Sequence, residues 1–238
     1  MSAAPSLQPA SAPGGRWDPK SLALRIVLTW AALKIWFWTQ SLIGARRLPA
    51  SGIGDGLLAW TAPINSYLTE HHTACNALLI ASSGVVDLLG IFLLASWIFG
   101  KTVRPFLGLV ILLGLRQLMQ ALVALPSPPN TLWHNPGFPS LLVTYGVGND
   151  YFFSGHTAMA VFGATELIRI GKRWLTAVAV LIIIFEVTTV VVLRAHYTMD
   201  VFTGLIAALL VASFIARLSI PVDRALAKVK SPAQPHTT

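Results

Sequence analysis

Long apolar runs alternate with short polar, basic or proline-rich segments along this chain, and that coarse alternation dominates any finer helical or strand periodicity. The runs cover residues 21–43, 74–99, 103–125, 155–170, 174–193 and 199–218. A bilayer core of roughly 30 Å takes about 20 helical residues to cross, so each run predicts a membrane-spanning helix. The fourth is short, and its span is expected to begin within the preceding loop. Lipid satisfies no backbone N–H or C=O group, so the crossings must be closed helices. The expected fold is therefore all-α: a polytopic membrane protein with six transmembrane helices in one bundle over residues 21–220. A tail over 1–20 and a polar tail over 221–238 flank it, with 1–15 and 231–238 expected to be disordered. The first run follows a Pro-, Ala- and Ser-rich stretch instead of a short basic region, so it reads as a retained anchor and not a cleavable signal.

Composition agrees with the pattern. The 238 residues are 55% hydrophobic and 11% charged, with a mean hydropathy of +0.68, which excludes an ordinary soluble domain. The net charge of +8 does not indicate nucleic acid, because the basic residues punctuate the apolar runs and form no basic patch interleaved with aromatics. Their placement reports topology. Arg16, Lys20 and Arg25, then Lys101 and Arg104, then Arg169, Lys172 and Arg173, then Arg217, Arg224, Lys228 and Lys230 all fall on one side of a six-span chain. Arg46, Arg47 and Arg194 fall on the other. The positive-inside rule then makes both termini cytoplasmic. The single cysteine, Cys75, excludes an intramolecular disulfide and a cysteine zinc cluster, and reads as a small buried apolar side chain.

Two strings carry chemistry: Ser154-Gly155-His156-Thr157 and Arg194-Ala195-His196-Tyr197-Thr198-Met199-Asp200, which open the fourth and sixth runs. Helices entered from the same side put both histidines at similar depth, on the exoplasmic, periplasmic or lumenal face. His196 and Asp200 are four apart and share a helical face, so the carboxylate is expected to hold one imidazole nitrogen and leave the other free as a nucleophile. His156 suits the acid role toward a departing alkoxide. Arg116, inside the third run, is read either as a phosphate clamp or as a structural ion pair with Asp87 or Glu166. Asp87, Glu166 and Glu186 are expected to face the bundle interior, and Lys34 to snorkel. Arg194 is placed to meet an anionic phosphate, Ser154 to bind phosphate through its hydroxyl, and Asp150 to orient His156 or bind a polar acceptor. Tyr145, Tyr151 and Tyr197 join these as substrate-binding candidates. The proline-rich loop 126–153, with Trp133, His134 and Tyr145, is read as a substrate lid or as an aromatic belt at the headgroup level. His71 and His72 read as interface residues. A zinc site of His156, His196 and Asp200 lacks the usual close pair of ligating histidines, and a Ser154 hydrolase lacks a Gly-x-Ser-x-Gly turn.

Phe153-Ser154-Gly155-His156-Thr157 followed by His196-Tyr197-Thr198-Met199-Asp200 resembles the second and third motifs of the membrane type 2 phosphatidic acid phosphatase superfamily. The wording is closer to the sphingomyelin synthase branch and to the plant phosphatidylcholine:diacylglycerol cholinephosphotransferases. Arg116, Gln117 and Leu125-Pro126-Ser127-Pro128 look like their upstream segment, and Arg194, two before His196, looks like the plant enzymes. Phe153 stands where the phosphatases carry Pro, and Val190 where they carry Arg. The resemblance covers about residues 103–218, taken as the catalytic core.

It implies a phosphohistidine route: His196 attacks phosphorus, Asp200 steadies the imidazolium, His156 protonates the leaving diacylglycerol oxygen, and a second alcohol then attacks. No metal or other cofactor is implied. The leading expectation is a lipid phosphotransferase moving phosphocholine, or a related phosphoalcohol, from a glycerophospholipid to diacylglycerol or ceramide. The alternatives are a lipid phosphate phosphatase and, from a different class, a transporter or scaffold. The expected partners are a phospholipid donor, a lipid alcohol acceptor and the membrane, without nucleic acid; homo-oligomerisation is left open.

Overall fold

The structure is a computed structural model that describes residues 19–44, 52–143, 145 and 151–230. The chain divides into two compact units, 1–51 and 52–238, and among the described residues every regular element is a helix.

In the first unit, helix α1 runs over Pro19–Gly44, in register with the first apolar run. Val27, Leu28, Trp30, Ile35, Phe37 and Trp38 are exposed along it. Lys34 does not simply reach along the helix: its Nζ lies over the Trp30 ring, 5.6 Å from the centroid, a one-turn cation–π pair.

The second unit holds α2 (Gly56–Trp60), α3 (Ala62–Glu70), α4 (His72–Ile98), α5 (Arg104–Leu122), α6 (Gly155–Ile168), α7 (Arg173–Val192) and α8 (Thr198–Lys230). Helix α6 is its centre and packs against α4, α5, α7 and α8. Every residue from His156 to Ala164 is buried. That requires a helix without a polar face, and the small Ala158, Ala160, Gly163 and Ala164 let neighbouring helices approach closely.

The expected count of six spans is not reached among the described residues. Four helices are long and apolar enough to cross a membrane: α4, α5, α7 and the stretch Thr198–Leu226 of α8. The first and fourth predicted spans are not among these four, and for the fourth the reason is length: α6 has 14 residues, about 21 Å against a core of roughly 30 Å. It is wrapped by longer helices instead of crossing on its own. At the other extreme α8 continues through Pro221 to Lys230, past Leu218, where the last run was expected to end.

The acidic side chains Glu166, Glu186 and Asp87 each have partners, as their desolvation cost demands. Glu166 accepts from Arg104 Nε at 2.7 Å and lies 3.8 Å from Arg169 Nε. Glu186 accepts from Ser82 Oγ at 2.6 Å. Asp87 accepts from the backbone amides of Leu141 and Leu142 at 2.8 and 2.9 Å, which fixes the end of the proline-rich segment against α4. Glu166 is thus satisfied by Arg104 and Asp87 by backbone amides, while Arg116 takes a different place.

Candidate active site

The two histidine strings meet where α6 and α8 begin. Ser154 is the N-cap of α6, its hydroxyl accepting from Thr157 N at 3.3 Å, the cap chemistry that starts a helix. Its own amide donates to Asp200 O at 3.1 Å. Beside this bond Gly204 brings the α8 backbone so close to α6 that a Cβ there would lie 2.6 Å from Ser154 O. Backbone contact between the two strings therefore depends on a residue without a side chain.

His196 is buried, and its Nδ1 lies 2.8 Å from Tyr151 O. A carbonyl only accepts, so Nδ1 carries the hydrogen, and Nε2 of the neutral ring keeps its lone pair. This corrects the expectation for Asp200: its Oδ2 is 3.9 Å from His196 Nδ1, too far for a hydrogen bond, and instead accepts from Tyr197 N at 2.9 Å. The carboxylate keeps electrostatic contact with the ring, but the hydrogen bond that fixes the tautomer comes from the Tyr151 carbonyl. Asp200 is fully buried, and its Oδ1 has no protein partner.

His156 is also buried, its Nε2 without a protein partner. The Trp133 ring meets it edge to face, centroids 4.8 Å apart, and Tyr145 lies 5.3 Å from Trp133. Trp133 packs against all three apolar clusters of this unit, so the proline-rich segment is part of the wall around His156. Arg116 Nε donates to Phe153 O at 3.1 Å, and a Cβ on Gly155 would come within 2.9 Å of that nitrogen. The guanidinium thus underlies the start of α6.

Arg194 is turned to a different task from the expected phosphate contact. It adopts a left-handed φ of 52°, and its two terminal nitrogens donate to Pro129 O at 2.8 Å and Leu58 O at 3.3 Å. Tyr197 is buried and donates to Ser127 O at 3.3 Å. Burial raises the Tyr197 phenol above its ordinary value, and the neighbouring Asp200, Asp55 and Tyr151 raise it further, which keeps it a donor. Tyr145 bonds Ser83 through its hydroxyl. Asp150 lies outside the described residues. Among the described residues no three His, Cys, Asp or Glu side chains gather as a metal-binding group.

One important residue was not anticipated. Asp55 Oδ1 accepts from Leu57 N, Leu58 N and Thr198 Oγ1 at 3.0, 3.1 and 2.6 Å, and its Oδ2 accepts from Thr198 N at 2.6 Å. The N-cap pattern before Leu57 and Leu58 is readable locally, but the bond to Thr198 spans 143 positions and leaves no local trace. Asn65 reinforces it, donating to Val192 O at 2.9 Å and Asn130 O at 3.3 Å.

A family model described as AtPDCT1/2, the phosphatidylcholine:diacylglycerol cholinephosphotransferase family, matches residues 55–217. The chain belongs to the AtPDCT1/2 family. No curated protein and no solved structure matches it. The AtPDCT1/2 match starts well before residue 103, where the motif resemblance began, and takes in α2 and α3, which are tied to Arg194 through Leu58 and to the end of α7 through Asn65.

Burial alone would raise the Asp55 carboxyl, but the bonds from the Thr198 side chain and amide and from Leu58 N and Leu57 N outweigh it and hold the group below its ordinary 3.8. A depressed carboxyl stabilises the fold fully above its unfolded value and loses that contribution as pH falls through the lower folded value. The stability difference between wild type and Asp55→Ser is accordingly expected to be flat from about pH 5 to about pH 8. Thermal unfolding in detergent across that range checks this; a difference that grows with pH would contradict it.

Proposed function

We propose that this member of the AtPDCT1/2 family is a membrane phosphotransferase that moves phosphocholine, or a related phosphoalcohol headgroup, from a glycerophospholipid to diacylglycerol or ceramide on the non-cytoplasmic face. The family match over residues 55–217, which contains both histidine strings, carries this reading.

In the first half-reaction His196 Nε2 attacks phosphorus, the P–N bond forms and the bond to the diacylglycerol oxygen breaks. His156, protonated, gives its proton to that departing oxygen. In the second half-reaction His156 takes the proton of the acceptor hydroxyl, the acceptor oxygen bonds to phosphorus and the P–N bond breaks. Asp200 and the Tyr151 carbonyl support the positive charge on His196, and Arg116 with backbone donors at the start of α6 faces the phosphoryl oxygens. The aromatic wall of Trp133 and Tyr145 suits a quaternary ammonium group.

The test is transfer in nanodiscs that contain phosphatidylcholine labelled in the choline group and diacylglycerol or ceramide of distinct acyl composition. Label is expected on the acceptor lipid. Free phosphocholine, or free phosphate from phosphatidic acid, without acceptor-linked product would replace the transferase with a hydrolase.

A further inference from the structure

We infer that Asp55 is a positioning residue for His196, acting through Thr198 from a helix pair outside the histidine motifs. The inference rests on the reaction proposed above. A helix begins with amides that have no partner within it. At the start of α8, Tyr197 N is taken by Asp200 Oδ2 from one turn along, while Thr198 N and Thr198 Oγ1 are taken by Asp55 at 2.6 Å each. The same carboxylate caps α2 through Leu57 N and Leu58 N. One side chain therefore caps two helices, and its negative charge sits at the positive end of both.

His196 is only two residues before the bonded Thr198. Its ring is oriented by one bond to Tyr151 O, from a non-helical segment that runs directly into the start of α6. The bond survives only while the backbone between Ala195 and Thr198 holds its place, and Asp55 supplies the anchor at the far end of that stretch. Arg194, tied to Leu58 O and Pro129 O, supplies the near end. Both anchors lead to α2. The five-residue helix has little to contribute to the core beyond Leu58, so its place in the fold is explained by what it holds.

Asp55→Ser separates the two duties, because serine can still cap α2 from the N-cap position but lacks the second oxygen and the reach to hold Thr198. The expected result is a kcat about tenfold or more below wild type with KM within about twofold, the signature of a displaced reacting group. Asp55→Ala should match it in kcat while being less stable. Thr198→Val, which removes one of the two bonds, should lose less, and adding it to Asp55→Ser should cost nothing further, since both act through one link. Wild-type kcat in Asp55→Ser, or effects that multiply in the double variant, would overturn the inference. Hydrogen exchange reads the link without activity: the Thr198 amide should be protected in the wild type and lose protection in Asp55→Ser, and unchanged protection would also overturn it. Absent transfer by the wild type would instead reject the proposed reaction.

Discussion

His196→Ala is expected to lower transfer by at least about 10³-fold, because no other group on the described site offers a nucleophilic lone pair fixed by a hydrogen bond on its opposite ring nitrogen. The protein should remain folded, since the ring makes one hydrogen bond to the protein and lies at the edge of the apolar clusters rather than inside them. Wild type incubated with choline-labelled donor and quenched in alkaline detergent should carry acid-labile phosphocholine. The alanine variant should carry none. Label retained on the variant, or full transfer by it, would remove His196 from the mechanism.

Gly204→Ala is the second large effect, and it acts without touching any titrating group. The added Cβ would stand 2.6 Å from Ser154 O, with Ala158 N and Thr157 Cβ both 3.5 Å away. The obstacle is helix backbone, which has no rotamer to turn aside. Helix α8 must move off α6, and the Ser154 N to Asp200 O bond that joins the two strings lengthens. Overpacking of this kind costs about 1–3 kcal/mol in stability, while a misplacement of about 1 Å at reacting groups costs about 10²-fold in rate. Activity should therefore fall far more than thermal stability does. Gly204→Ala with wild-type kcat would show that the close crossing does not set the histidine geometry.

The apolar runs and both histidine strings were plain in the sequence because each is written in consecutive residues. Helices α4, α5 and α7 fall close to the runs that predicted them, and the strings do meet. What could not be read was who holds whom. Asp200 was the natural partner of His196 at a one-turn spacing, yet the Tyr151 carbonyl, contributed by a segment 45 positions away, takes the bond. Arg194 looked like a phosphate ligand because a free arginine beside a motif usually points outward, and it is instead consumed by two carbonyls. Helices α2 and α3 lie between the first two runs, where no element was expected, since each is too short to show a helical period, and Asp55 betrays its second role only in three dimensions. The shortness of α6 was visible in the sequence, but the burial of His156 to Ala164 on every side is a property of its four neighbours.

That shortness has a geometric consequence. Glu166, near the end of α6, is level with Arg104 at the start of α5, and Arg116, which touches the opposite end of α6, is six residues short of Leu122, where α5 finishes. At 1.5 Å per residue the start of α6 therefore lies about 9 Å below the rim of its neighbour. His156 therefore lies about that far inside the end of α5, with Trp133 against its ring. In the proposed transfer, a lipid alcohol reaches that depth by moving sideways within the bilayer. In that reading water comes from beyond the end of α5, and depth biases the competition between the two acceptors.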